Sequence, residues 1–358
     1  MNSTTTVISG KYCGRRRILL VFSLGPAALL LLFALDVISG SVGIPISAVA
    51  NILLKGGGDE AQRTILLLFR LPRALTAVGA GAALSVAGLL MQTLFRNPLA
   101  GPAVLGVNAG SNLGVAATVL LLSAGAGTSF IAGLTLPGRL LLILAAVGGA
   151  VLVMSIVMAA ARYVGSVALL LLFGLMFGYL ANSLVSVMIH FSVASRIQSY
   201  LQWTFGSFSV TDLQELYIFL PLIAAGLCIA VLLVKPLNTL LLGENYAASM
   251  GVSTGRIRLA LVALTSLFAG TVTAFCGPIT FLGVAVPHLA RGLLRTSDHR
   301  LLLPGVVILG AVVALGADLV SRVPGSDVVL PLNAVTALIG APVVVLVLLR
   351  SRHGKVLI

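Results

Sequence analysis

The chain has 358 residues, of which 59% are hydrophobic and 9% charged, and its mean hydropathy is +1.15. Long apolar runs recur from one end to the other, which excludes a soluble or disordered chain and makes this an all-α polytopic membrane protein. The formal charge of +13 does not mark a nucleic-acid binder, because the basic residues are distributed as membrane topology demands.

A bilayer core takes about 20 apolar residues per spanning helix. Ten stretches meet that demand, at 18–40, 70–95, 103–122, 139–161, 166–190, 213–234, 256–275, 279–294, 302–321 and 333–350. An even number puts both termini on one side. With that side cytoplasmic, 15 of the 22 basic residues face the cytoplasm. The others, Lys55, Arg63, Arg70, Arg73, Arg139, Arg196 and Arg322, fall outside, where most acidic residues also lie. This is the positive-inside pattern of a multi-pass membrane protein. The expected organisation is a basic cytoplasmic N-terminus (1–17), a membrane domain (18–350) and a cytoplasmic tail (351–358).

The first run, Ile18 to Leu35, follows an arginine-rich start but has no small-x-small cleavage site, so it reads as a retained helix. Cys13, Cys228 and Cys276 have no metal-ligand spacing and read as inert thiols. The second stretch carries the small-residue row Ala77, Gly81 and Ser85, and the third carries Gly106, Gly110 and Gly114. Rows at this spacing let helix backbones approach closely, so two tightly packed helices are expected around the join. The join itself, MQTLFRNPLAGPAVLGVNAG (91–110), stops one helix at Arg96, Asn97 and Pro98, turns at Gly101 and Pro102, and starts the return. The second to fifth and seventh to tenth stretches each open with a long helix bearing an Ala-Gly pair (Ala87 and Gly88; Ala269 and Gly270) and break at a proline (Pro98; Pro278). An inverted repeat of four spans, with the sixth as joint, would look like this.

Between the fifth and sixth stretches lies the longest polar segment, SVASRIQSYLQWTFGSFSVTD (192–212). There Arg196, Gln198, Tyr200, Trp203 and Phe205 set one charge among aromatic faces, either as a gate for a bulky substrate or as interfacial anchors. Further on, Gly243, Glu244, Asn245, Tyr246, Ala247, Ala248, Ser249, Met250 and Gly251 have the makings of a very short helix. Glu244 suits its positive N-terminal end, Gly251 its stop, and Tyr246 and Met250 share one face. The segment is either a knob for a partner's groove or an ordinary interfacial turn. His288 has no partner at ligand spacing and reads as a packing residue rather than a metal ligand. Asp318 is the only acidic residue well inside a late stretch, where a charge costs about 2.5 to 3.5 kcal/mol. One turn before Arg322, it serves either an ion pair that positions that arginine or proton coupling. No lysine stands in a G-x-x-x-x-G-K-[ST] context and no H-E-x-x-H or paired-acid constellation occurs, so neither an intrinsic ATPase nor a membrane enzyme is expected.

Three blocks in order, LFRLPRALTAVGAGAALSVAGLLMQTLFRNPLAGPAVLGVNAG (68–110), GPITFLGVAVPHLAR (277–291) and ADLVSR...LPLNAVTALIGAP (317–342), resemble the signature of the FecCD-type permeases. These are the membrane subunits of binding-protein-dependent ABC importers for iron-siderophore chelates, haem and cobalamin. The resemblance runs from the first span to the last. Gly101 stands where the family usually has an acidic residue, Ser111 where alanine is common, Asn333 at a usual glycine, and Val343 and Val344 at a common aromatic. The cargo therefore stays open. The resemblance implies a permease of a type II importer that works by alternating access, paired with a second permease subunit, either as a homodimer, as in many relatives, or with a different permease. It also implies two nucleotide-binding ATPase subunits, which bind ATP and Mg in place of this chain, and a periplasmic substrate-binding protein. Arg70, Arg73 and Arg322 would receive that protein's acidic residues, or else anchor helix ends at lipid headgroups. Residues 243–251 would dock on the ATPase. The rival, an ion- or proton-coupled secondary transporter, needs polar groups near the bilayer midplane and finds Asp318 alone.

Overall fold

Backbone polar groups have no water to turn to inside a bilayer, so a chain this apolar answers with helices that satisfy their own N–H and C=O groups. The computed structural model describes residues 4–40, 42–121, 136–163, 167–210, 213–322 and 329–351. In chain order the helices are α1 (Thr4–Ile38), α2 (Ile46–Lys55), α3 (Glu60–Leu94), α4 (Val107–Leu121), α5 (Leu136–Tyr163), α6 (Val167–His190) and α7 (Ala194–Thr204). There follow α8 (Leu213–Leu232), α9 (Val234–Leu240), α10 (Glu244–Ser249), α11 (Thr254–Cys276), α12 (Leu282–Leu294), α13 (His299–Ser321) and α14 (Leu332–Ser351). Seven of them, α1, α3, α5, α6, α8, α11 and α13, are long and apolar enough to cross a membrane. The shorter apolar helices α4, α12 and α14 stand where the other three spans were expected.

The differences from expectation lie at the helix ends and between the spans. Residues 4–17 are no separate tail: α1 starts at Thr4 and runs unbroken into the first span. Once a helix is nucleated, each further residue costs little, and basic side chains are good helix formers. Beyond Ser351 the expected C-terminal tail lies outside the described residues. The second span begins ten residues earlier than expected, at Glu60, where the Asp59 carboxylate accepts from the Gln62 N–H at 3.4 Å. It crosses Pro72 by widening into a π-helical turn at Ile65–Arg70, since a proline has no N–H to give an α-helical ladder. The segment expected as a polar outer loop contains α7.

The two sets of four spans interlock. The opening helix of the first set, α3, packs on α12 and α13 of the second, while α11, which opens the second, packs on α4 and α5 of the first. The two opening helices also pack on each other, and they are the most buried spans. This exchange is what an inverted repeat would produce.

Small residues make the exchange possible, but not between the helices the sequence suggested. On α3, Gly81 abuts the Gly310 backbone of α13 and Gly88 abuts the Gly283 backbone of α12. On α4, Gly110 meets Gly149 and Gly114 meets Ala145, both on α5, while Gly106 faces the Gly174 carbonyl of α6. The rows of the second and third spans thus serve different partners instead of each other. A side chain at any of these glycines would run into a facing backbone. Leucine at Gly110 is therefore expected to lower stability by about 1 to 3 kcal/mol or more, read as an earlier thermal transition of the detergent-solubilised protein. A wild-type transition would mean that α4 and α5 part at little cost.

Candidate functional site

From Leu71 to Leu94 the helix α3 is 24 residues long, so it spans roughly 36 Å and joins two polar clusters at opposite ends of the bundle. At one end α1 stops, and the last carbonyls of any helix lack intrahelical partners. Arginines supply them. Arg70 donates from Nη1 to the carbonyls of Ile38 (2.6 Å) and Val37 (3.3 Å) and from Nη2 to that of Val42. Arg322 donates from Nη1 to the carbonyls of Asp36 (3.0 Å) and Ser39 (2.8 Å). Both cations sit at the negative end of the α1 dipole, where positive charge is favoured.

Two carboxylates complete this cluster. Arg73 forks onto Asp318, with Nε to Oδ2 and Nη2 to Oδ1 both at 2.8 Å, and Arg322 Nη2 reaches Asp36 Oδ1 at 2.8 Å while also pairing with Asp318. The carboxylates are sealed, with Asp36 at 0% and Asp318 at 1% exposure, and the Arg73 and Arg322 side chains keep 14% each. The ion pair expected between Asp318 and Arg322 is present. Its continuation to Arg73 and Asp36 was not foreseen, because Asp36 reads in sequence as the polar end of an apolar run. Arg70 needs a correction: at 6% exposure, with its guanidinium occupied by carbonyls, it holds the 37–42 turn and has no free face for a docking partner.

At the opposite end the chain breaks for a physical reason. Arg96 takes a left-handed conformation (φ 45°), the Asn97 side chain accepts from the Leu99 N–H at 2.9 Å, and the Pro98 carbonyl accepts from His288 Nε2 at 2.6 Å. His288 thereby ties α12 to the turn. Beside this turn stands α10, opened by Gly243 (φ 112°) and closed by Gly251 (φ 81°). Glu244 pairs with Arg258 of α11 at 3.1 Å. Tyr246 and Met250 are 52% and 57% exposed, and Ala248, Asn245 and Ser249 are exposed with them, whereas Ala247 is fully buried and seats the knob on the bundle. An open groove of about 570 Å³ runs between Phe95, Arg96 and the 243–246 segment.

The aromatic segment is divided by α7. Arg196 donates to the Leu120 carbonyl at 3.2 Å, and Tyr200, which burial pushes up to about 12, stacks on Trp203 with centroids 6.5 Å apart. Gln198 and Phe205 remain exposed, so the five residues do not form one surface. Asn333, singled out as a departure, joins three elements: its N–H bonds the Phe205 carbonyl at 3.1 Å and its Oδ1 accepts from Thr280 at 3.0 Å. The helical spacing of Ile197, Tyr200, Leu201 and Thr204 was the available signal for α7.

Comparison with known proteins now decides the class. The FecCD transport family matches residues 28–350. The chain belongs to this family. It is 40% identical over 283 residues to the vitamin B12 import system permease protein BtuC of Klebsiella pneumoniae subsp. pneumoniae, covering 79% of this chain and 82% of that one. The corresponding Citrobacter koseri protein is 38% identical over 284 residues, with the same coverage. A solved structure assigned to the metal-chelate type of ABC transporter, in an inward-facing conformation, superposes with a TM-score of 0.79 at 27% identity, over 92% of this chain and 99% of the other. The chain is thus a multi-pass membrane permease of an ABC importer, and the ATPase is a separate subunit. The ion-coupled alternative falls with this membership.

The arginine cluster yields a stability prediction. Removing one member of a buried ion pair leaves an uncompensated charge, at a cost of about 3 to 5 kcal/mol. Asp318→Asn, which strands Arg73 and leaves Arg322 with Asp36 alone, should lower the denaturation midpoint of the solubilised protein far more than Asp59→Asn at the exposed α3 cap. Equal midpoints would show that the network contributes little.

Proposed function

We propose that this permease imports a metal chelate across the bacterial inner membrane, with cobalamin the foremost cargo and a ferric siderophore or haem as the alternatives. What supports the cargo is the name carried by the relatives at 38 to 40% identity, together with the metal-chelate assignment of the superposing structure. Both termini lie in the cytoplasm, which places the 243–251 knob there and the arginine cluster outside. Two copies of the chain form the pathway, two ATPase subunits bind ATP and Mg, and a periplasmic binding protein delivers the cargo.

The roles of the two ends follow from their surfaces. The exposed face of Tyr246, Ala248 and Met250 is the ATPase contact. Arg73, whose fork onto Asp318 takes Nε and Nη2, offers Nη1 to acidic residues of the binding protein, a pairing that sets register and association rate, and Arg322, with both terminal nitrogens engaged in the cluster, lends its remaining exposed edge. Arg70 shapes that surface from within. Around the pathway mouth, Gln198 and Phe205 are the members of the aromatic segment free to touch cargo, and Arg196, Tyr200 and Trp203 position them.

Growth of a deletion strain decides the cargo: restored growth on limiting cobalamin by this gene, with its ATPase, supports the reading, and restoration on ferric siderophores or haem alone moves the cargo to that class. The two docking roles are separable in the purified complex. Ala248→Arg should reduce ATPase association at least about tenfold and spare binding-protein association, while Arg73→Lys, which keeps the charge and loses the fork, should do the reverse. Association of both partners at wild-type strength in both variants would remove the assignments.

A further inference from the structure

Behind the knob lies a hydrogen-bonded chain, half-exposed at Asp298 and Asn238 and buried at His299 and Thr93, that none of the roles above uses. Asp298 caps α13 by accepting from the Arg300 N–H at 2.9 Å, which is also the chief cause holding its carboxyl below the usual range. An ionised carboxylate can only accept, so the Asn238 group 2.6 Å from Asp298 Oδ1 is the amide Nδ2. The other face of that amide is then oxygen, and it accepts from the His299 N–H at 2.9 Å and from His299 Nδ1 at 2.8 Å. With its proton on Nδ1, the imidazole presents Nε2 to Thr93 Oγ1 of α3 at 2.8 Å. His299 and Thr93 are both buried. One side chain of α9 thus holds the first turn of α13, and through it the last turn of α3.

The position of α9 gives this chain its meaning. Only Leu241, Leu242 and Gly243 separate α9 from the knob helix α10, which rests on α9 and α11. The Glu244–Arg258 pair links the knob to α11, and the Asn238 chain links α9 to α3 and α13. Those helices include both opening spans of the inverted repeat. The buried His299–Thr93 pair cannot part without replacement partners, and the half-buried Asn238 grips His299 at both its N–H and its ring, so α9, α13 and α3 are linked at this point.

We propose that Asn238, acting through His299 and Thr93, is the positioning residue that passes displacement of the 243–251 knob to α3 and α13. The proposal rests on the reading of that knob as the ATPase contact. It predicts a loss of transmission, without loss of docking, when the amide is changed.

The test uses the full complex in nanodiscs, in a variant free of Cys13, Cys228 and Cys276, with a bimane label on Phe69→Cys at the exposed outer start of α3. Asn238→Asp sets a second carboxylate against Asp298. Basal ATP hydrolysis should stay within about twofold of wild type while the ATP-Mg-dependent change in bimane emission falls at least about fivefold. In Asn238→Asp/Asp298→Asn the donor and acceptor exchange places, and asparagine caps α13 as well as aspartate does. The double variant should recover at least about half of the emission change, a rescue that a purely structural role would not produce. The proposal is overturned by an undiminished label response in Asn238→Asp, by an assembled double variant as silent as the single one, or by a wild-type complex that hydrolyses ATP with no response at Phe69. A wild-type chain that binds no ATPase would instead remove the importer reading itself.

Discussion

The backbone of Gly283 occupies the space that a side chain at residue 88 would need, and that close approach of α12 to α3 sets the terms for the rest of the bundle. Lipid tails are as apolar as leucine, so helices in a bilayer gain little by burying oily side chains against one another. They gain from dispersion contacts, which require the backbones to come near. Along α3, Gly81 and Ser85 meet Gly310 of α13 and Gly88 meets Gly283 of α12. On the other side of the repeat, α4 and α5 meet through Gly110, Gly114, Ala145 and Gly149 in the same manner.

Smooth interfaces of this kind bring helices close without fixing how far one has slid along the other. Register is supplied by polar groups, and these stand at the helix ends. At the arginine end two carboxylates pair with Arg73 and Arg322, and Arg322, with Arg70, satisfies the carbonyls that α1 leaves open. The open carbonyls of α1 and the two buried carboxylates give these arginines a structural reason to stand there. They belong to the end of α1 as much as to any partner. At the other end the fixing groups are neutral or singly charged: His288 on the Pro98 carbonyl, Gln92 between the Val284 carbonyl and Arg291, and Asn238 on His299.

The division between these two kinds of contact also explains what could be read from the sequence. Apolar length located the seven helices long enough to span a bilayer, since length is what the bilayer selects, and three shorter apolar helices stand at the other expected stretches. The glycine rows were visible as rows, but spacing along one helix carries no information on which neighbour it meets, so Gly81 and Gly110 were credited to a shared interface and belong to two. The knob was legible because its glycines and its Tyr246–Met250 face are local, whereas the burial of Ala247 depends on α9 and α11 and was not. The ion pair one turn apart, Asp318 with Arg322, was within reach of sequence; Arg73, 245 residues from Asp318, and Asp36 were not. The helix α7 escaped for a different reason. Its period is helical, but its low hydropathy hid it from a search tuned to membrane spans.

These features converge on α3. Between Arg73, tied to Asp318, and Thr93, tied to His299, the helix comes closest to α12 and α13 at Gly81, Ser85 and Gly88, on a regular backbone. Its irregular turn, the π-helical segment at Ile65–Arg70, lies beyond the outer tie, where it turns Arg70 into the end of α1 without disturbing the regular part. A rod with a smooth face and anchored ends resists sliding, because sliding would break both anchors at once, but it tilts at the cost of small adjustments in shallow contacts. Both of its anchors are on the same partner, α13. The pair α3 and α13 is therefore held in one register from the knob end to the arginine end, with α11 packed against α3 beside it.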